Sequence, residues 1–222
     1  MRAIEVEDGK SRPKLYGYWR SSTSYRIRIA LNLKGLTYDY VPVNLKEGEQ
    51  TGEAYRAINP HGTVPFLDTG DGQLTQSLAI LDWLEAHYPK PSFLPKTDAA
   101  LCRDLYYAVA TEIHAPNNLP ILKYLKREFG ADQAALEAWY QTWIHKTFTP
   151  VEARLAAHDW AGNNLPFGQP TLFEIVLIPQ VYNARRWNTD LSMFPHIEKI
   201  DAACADLVAF DKARPENQID AS

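Results

Sequence analysis

The sequence predicts two folded parts, a small α/β domain and an all-helical domain, and three observations carry that division. Between Lys14 and Leu94 the apolar spacing switches repeatedly between strand-like and helical periods. Beyond Pro95 the apolar residues hold a helical spacing. The stretch Lys90–Asp98, with Pro91 and Pro95, separates the two patterns and reads as a linker. The expected boundaries are a flexible extension at 1–13, the α/β domain at 14–94 and the helical domain at 95–222.

Each element follows from local chemistry. Lys14–Trp19 is a short strand rich in aromatics. Ser21–Ser24 supply caps for a helix over Tyr25–Lys34, where Ile27, Ala30 and Leu31 recur at helical spacing and Gly35 ends the run. Tyr38–Asn44 is a second strand, followed by a polar segment holding Gly48, Gly52 and 54–58. Val64–Leu67 and Leu74 suggest two strands around the Gly70–Gly72 turn. Gln76–His87 is helical through Leu78, Leu81 and Leu84, and Pro89 closes it. A β-α-β, loop, β-β-α order implies a small mixed sheet with helices packed on it.

In the second half Tyr106, Val109, Ile113, Leu122, Tyr124, Trp139, Trp143, Ile144, Val151 and Leu155 lie on long helical patterns. Pro116 and Pro120 predict a break in the first of them. Thr171-Leu-Phe-Glu174 has the capping-box spacing and opens an apolar helix.

Composition excludes several classes. With 45% hydrophobic and 23% charged residues over 222 positions, the chain is neither disordered nor fibrous. Lys+Arg 23 against Asp+Glu 27 leaves a formal charge of -4, so no basic excess points to nucleic acid or anionic lipid. Cys102 and Cys204 are too few and too distant for a disulfide framework. The histidines at 61, 87, 114, 145, 158 and 196 show no paired metal-ligand spacing, so no metal is expected. Residues 1–13 have mixed charge and no apolar core, which argues against a secretory signal, and a cytoplasmic location is expected.

Chemistry concentrates where the first strand runs into the first helix. A helix start leaves backbone N–H groups unpaired and carries about half a positive charge, and Ser21, Ser22, Thr23 and Ser24 crowd hydroxyls there. The place favours an anion. A phosphate loop would want glycines, and this turn has none; no cysteine lies nearby, so the thiolate of a small-molecule cofactor remains. Plain helix capping by the same hydroxyls is the competing reading. Val64-Pro65, in a loop after Asn59-Pro60, would turn backbone groups outward toward a peptide if its bond were cis. Gln76-Ser77 opens the last helix of the half and is either a second anion site or a simple cap. Thiolate pocket, peptide grip and carboxylate pocket together describe a receptor for glutathione.

The runs Ser21-Ser-Thr-Ser-Tyr-Arg-Ile-Arg-Ile-Ala-Leu31, Asn59-Pro60 with Val64-Pro65, Gln76-Ser-Leu-Ala-Ile80 and Pro179-Gln-Val-Tyr-Asn-Ala-Arg-Arg186 resemble the zeta class of glutathione transferases, the maleylacetoacetate isomerase family. Glu112-Ile-His-Ala-Pro-Asn-Asn118 also resembles the bacterial maleylpyruvate isomerase branch. The resemblance implies a thioredoxin-like N-terminal domain, an all-α C-terminal domain and a homodimer. It implies that Ser21, Ser22 and Thr23 surround the glutathione sulfur, that Val64 and Pro65 hold the cysteinyl backbone, and that Gln76 and Ser77 take the γ-glutamyl end. His114, Asn117 and Asn118 would also reach glutathione. Arg20, with Arg185 or Arg186, would take the carboxylates of the substrate, although Arg185 and Arg186 also read as solvated helix charges.

The implied activity is cis–trans isomerisation of a maleyl keto acid in aromatic catabolism, with maleylacetoacetate first and maleylpyruvate as the alternative. Members acting on maleylacetoacetate typically carry cysteine where this chain has Thr23, and Leu119-Pro120 stands where the maleylpyruvate branch has arginines. Glu174 occupies a position usually held by aspartate. A general transferase, an α-haloacid dehalogenase and a non-catalytic glutathione-binding module are the remaining alternatives.

Overall fold

The computed structural model describes residues 12–160 and 164–222, so the expected extension at 1–13 lies almost wholly outside the described residues. The chain divides into two compact units. One comprises residues up to Ser92 together with Leu207–Ser222, and the other is Phe93–Asp206.

The first unit is built on a four-stranded sheet in the order β2-β1-β3-β4. Its strands are β1 (Lys14–Gly17), β2 (Asp39–Pro42), β3 (Phe66–Asp68) and β4 (Gln73–Leu74). β1 and β2 are parallel with Leu15 opposite Tyr40, whereas β1–β3 and β3–β4 are antiparallel, which makes the sheet mixed as expected. Helix α1 (Ser22–Leu33) makes the crossover between the parallel strands, and α3 (Ser77–His87) packs against it. The segment expected as a loop instead holds a 3-10 turn at Glu49–Thr51 and a short helix, α2 (Glu53–Ile58). Tyr55 of α2 is buried and donates its hydroxyl to the Thr63 carbonyl at 2.7 Å, which gives the polar segment an anchor its composition did not advertise.

The α1 helix is buried along Ser22–Leu31, including Arg26 and Arg28. A buried guanidinium is tolerable only when its donors find acceptors. Arg28 Nε donates to the Ala213 carbonyl at 3.0 Å and its NH2 group to the Trp19 carbonyl at 2.9 Å. Burial pulls its pKa below the ordinary value, while Tyr40, Tyr38, Tyr25 and Asp220 act in the opposite sense. Asn32 Nδ2 reaches the Ala209 carbonyl at 2.9 Å, and Phe210, Ala213 and Pro215 are buried. Those contacts correct the expected boundary: Leu207–Ser222 completes the α/β unit rather than the helical one, and its polar composition conceals backbone carbonyls that α1 requires.

The second unit contains α4 (Ala99–Tyr107), α5 (Leu119–Phe129), α6 (Gln133–Ala156), α7 (Leu172–Arg186) and α8 (Pro195–Ala205), and no strand among its described residues. A π-helical turn, Ala108–Ile113, extends α4 before the break expected from Pro116 and Pro120. Helix α7 is the core element, buried at nearly every position from Leu172 to Ala184. Its capping box is formed: Thr171 N–H donates to Glu174 Oε2 at 2.7 Å and Thr171 Oγ1 accepts from Phe173 N–H at 3.3 Å. Among the described residues no helix is long and apolar enough to cross a membrane. Cys102 and Cys204 are both buried and unbridged.

Candidate active site

The opening of α1 gathers the hydroxyls. Ser21 is the N-cap, and its Oγ accepts from Ser24 N–H at 3.2 Å. Ser21 Oγ and Thr23 Oγ1 lie 2.9 Å apart, and Thr23 Oγ1 donates to the Val64 carbonyl at 3.1 Å. Because the carbonyl can only accept, the Thr23 proton points to Val64 and the Ser21 proton points to Thr23. The result is one ordered relay from Ser24 N–H through Ser21 and Thr23 to Val64. Ser22, the first helical residue, is buried beside it.

Backbone geometry aims this cluster. A Cβ on Gly17 would meet Tyr40 Cε2 at 2.9 Å and Ser24 Oγ at 3.2 Å, so only glycine lets β1 pass this close to the helix opening. Ser21 N–H closes a turn onto the Tyr18 carbonyl at 3.0 Å. Arg20 places its guanidinium 4.7 Å from the Trp19 ring centroid.

The Val64–Pro65 peptide bond is cis. The loop before it is held by Asn59, buried, whose Nδ2 donates to the Thr63 carbonyl at 2.7 Å alongside Tyr55. Gly62 has φ +61 and sits so close to the Gln50 carbonyl that an added Cβ would approach it to 2.8 Å. Gln50 itself is buried with Oε1 lacking a hydrogen-bond partner. Sequence reasoning missed this residue. An isolated glutamine in a polar stretch carries no signal until α2 and the Gly62 turn bring it against the loop.

At the start of α3, Ser77 is buried, Gln76 is exposed, and the Gln76 side chain makes no capping bond. Arg26, one turn beyond Ser22 on α1, donates from NH1 to Ser77 Oγ at 3.3 Å. A buried guanidinium therefore reinforces the positive end of α3. Arg26 is the second residue not singled out in the sequence, since it reads there as an ordinary helix charge.

The remaining candidates belong to the second unit. His114 follows the π turn, and Asn118 caps α5, its Oδ1 accepting from Leu119 N–H at 2.8 Å. Asn117 is buried with neither side-chain polar atom hydrogen-bonded. Arg185 pairs with Asp201 of α8 at 2.6 Å, whereas Arg186 donates to Asn183 Oδ1 at 3.3 Å. Among the described residues no group of three His, Cys, Asp or Glu side chains is placed to hold a metal ion.

Residues 15–92 match the family model for the glutathione S-transferase N-terminal domain. A maleylpyruvate isomerase of a Ralstonia species is 47% identical over 94% of this chain and all of its own. The chain belongs to the zeta class of glutathione transferases. A solved holo structure of maleylpyruvate isomerase, described as a bacterial member of that zeta class, superposes with a TM-score of 0.91 at 47% identity, over 94% of this chain and 100% of the other. The maleylacetoacetate isomerase of Anaeromyxobacter dehalogenans, solved with glutathione in its active site, gives a TM-score of 0.84 at 35% identity over 96% and 100%. The thioredoxin-like and helical parts of this zeta-class chain thus have the glutathione transferase fold that the resemblance implied.

Proposed function

We propose that this chain is a glutathione-dependent cis–trans isomerase of a maleyl keto acid. The observation that carries the reading is the hydroxyl relay at the opening of α1, anchored on Val64. When bound, glutathione supplies a thiolate that adds reversibly to the substrate's double bond, so that the bond can turn. The task of the chain's own residues is to keep that sulfur ionised and the substrate oriented.

The magnitudes are within reach. A thiol of pKa ~8.5 is about 3% ionised at pH 7, and lowering it by about two units needs ~2.7 kcal/mol. A helix N-terminus and one hydroxyl donor together supply roughly that. Ser21 donates by turning its O–H from Thr23 to the sulfur, while Thr23 stays tied to Val64. Ser22 is assigned beside them. Ser77, backed by Arg26, takes the γ-glutamyl carboxylate with Gln76, and Val64 and Pro65 border the cysteinyl backbone. His114, Asn117 and Asn118 are kept as further cofactor residues. Arg20 and Arg186 are assigned to substrate carboxylates ahead of Arg185, whose charge Asp201 already satisfies.

Thr23 and the 47% identity to the Ralstonia isomerase support maleylpyruvate as substrate, which reverses the order set from the sequence resemblance. Maleylacetoacetate is the second reading, supported by the glutathione-bound relative. The proposal includes a cytoplasmic homodimer, tested by cell fractionation and light scattering. For the reaction, each keto acid is incubated with glutathione and the trans product followed by NMR. Turnover with glutathione unconsumed is expected. Stoichiometric adduct would favour a transferase or dehalogenase, and binding without turnover an interaction module.

A further inference from the structure

Trp19 lies two residues before Ser21, and both of its backbone groups are held from elsewhere in the unit. Its N–H donates to Asp220 Oδ2 at 3.0 Å, across 201 residues of sequence. Its carbonyl accepts from Arg28 NH2 at 2.9 Å. The neighbouring Tyr18 carbonyl accepts both Ser21 N–H at 3.0 Å and Arg28 NH1 at 3.5 Å, and Tyr18 N–H donates to Ser24 Oγ at 3.4 Å. The turn that sets the direction of Ser21 is therefore fixed by one carboxylate on one side and one guanidinium on the other.

The groups around this clamp leave Asp220 a single strong task. Tyr40 donates its hydroxyl to the same Oδ2 at 3.4 Å, and Tyr25 and Tyr40 place their rings 5.3 and 6.0 Å from the Arg28 guanidinium, with Tyr38 also facing it. Asp220 Oδ1 is buried without a hydrogen-bond partner. Oδ2 alone is used, and its shortest bond is to Trp19.

We infer that Asp220, together with Arg28, is a positioning residue for the Ser21 hydroxyl: it holds the Trp19 peptide so that the Ser21 side chain faces the sulfur of bound glutathione. The inference rests on the proposed glutathione-dependent reaction. It touches neither cofactor nor substrate, so its effect is on the placement of a donor and not on chemistry of its own.

Charge and position predict opposite signs, which makes the idea testable. Removing a negative charge near a thiolate favours the thiolate and lowers its pKa. Misplacing the Ser21 donor loses a charge-assisted hydrogen bond and raises it, by about one unit. Asp220→Ala and Asp220→Glu, the latter keeping the charge but displacing the acceptor, should both raise the pH midpoint of thiolate absorbance in the glutathione complex. Asp220→Asn, which keeps an acceptor for Trp19, should stay at or below the wild-type midpoint. Hydrogen exchange on the ligand-free protein gives an independent readout. The Trp19 and Ser21 amides should exchange faster in Asp220→Glu, with those of Ile27–Leu31 unchanged. An unshifted midpoint in Asp220→Glu, or equal rises in Asp220→Asn and Asp220→Glu, would overturn the inference, as would unchanged exchange at Trp19. If the wild type itself formed no thiolate complex, the reaction proposal would fall, and the exchange result would still decide whether Asp220 positions the turn.

Discussion

Glu174 sits fully buried in the first turn of α7, and replacing it with glutamine isolates the effect of its charge. Its Oε2 accepts from Thr171 N–H at 2.7 Å and from Thr171 Oγ1 at 2.5 Å, while Oε1 is buried with no hydrogen-bond partner. Burial outweighs those two donors and pushes the carboxyl up to about 7 from 4.5. The folded chain thus holds a proton here that the unfolded chain has already released between those two values. Stability attributable to Glu174 therefore falls as pH rises from 4.5 toward 7 and is flat above it. A shift of about 2.5 units is worth about 3 kcal/mol at 1.36 kcal/mol per unit. Glu174→Gln keeps an acceptor for Thr171 and cannot ionise, so that slope disappears while every other titration is shared with the wild type. Urea unfolding at pH 5 and pH 8 reads the difference. With a slope of about 3 kcal/mol/M, the wild-type midpoint should fall by about 1 M more than the variant's between the two pH values. Parallel midpoint changes in the two proteins would show that the carboxyl is already ionised at pH 5 and that the burial argument fails.

Ser21→Ala removes both the cap of α1 and the donor assigned to sulfur, so it should cost about 1 kcal/mol of stability and raise the thiol midpoint of bound glutathione by about one to two units, from ~6.5 to between ~7.5 and ~8.5; Ser22→Ala should leave the cap intact, and the pH–rate profiles of both variants check the assignment. Lys34 is buried and donates to Glu85 Oε2 at 2.8 Å and to the Pro91 carbonyl at 2.7 Å. Lys34→Ala should destabilise by about 2–3 kcal/mol, because it removes the cation facing a partly exposed carboxylate that keeps its Ser92 hydroxyl, together with the donor on the Pro91 carbonyl, and denaturant melting measures it. Arg185→Ala breaks a pair whose arginine is half-exposed and should change stability by less than about 1 kcal/mol with KM for the keto acid unmoved. Arg186→Ala should raise that KM about tenfold or more, as expected for one lost charged contact, and steady-state kinetics on both variants separates them.

What was legible in the sequence was whatever short-range chemistry dictates. Ser21 as a cap, Gly35 as a stop, the Gly70–Gly72 turn and the Thr171–Glu174 box are local, and all are present. The mixed sheet followed from the order of periods. Arg26 and Arg28 were not legible as buried groups, because their acceptors are a serine hydroxyl 51 residues away and backbone carbonyls, which carry no residue identity. For the same reason Leu207–Ser222 was not legible as part of the α/β unit: it offers α1 two carbonyl oxygens and the turn before α1 one carboxylate. Gln50 escaped because the turn that brings it to the loop depends on the positive φ of Gly62. The relay at Ser21–Thr23–Val64 lay between these extremes, with its members identifiable and their connection, 41 residues apart, visible only in three dimensions.

The division of the chain has a consequence during biosynthesis. Phe93–Asp206 is one continuous stretch, whereas the α/β unit is assembled from two stretches on either side of it. On a translating ribosome the helical unit can therefore finish folding while Arg28 still lacks the Ala213 carbonyl and Trp19 still lacks Asp220. The start of α1 must wait, the Arg28 guanidinium solvated and the Trp19 peptide unclamped, until Leu207–Ser222 emerges and supplies those acceptors, so the turn that aims Ser21 is set after the helical unit is made.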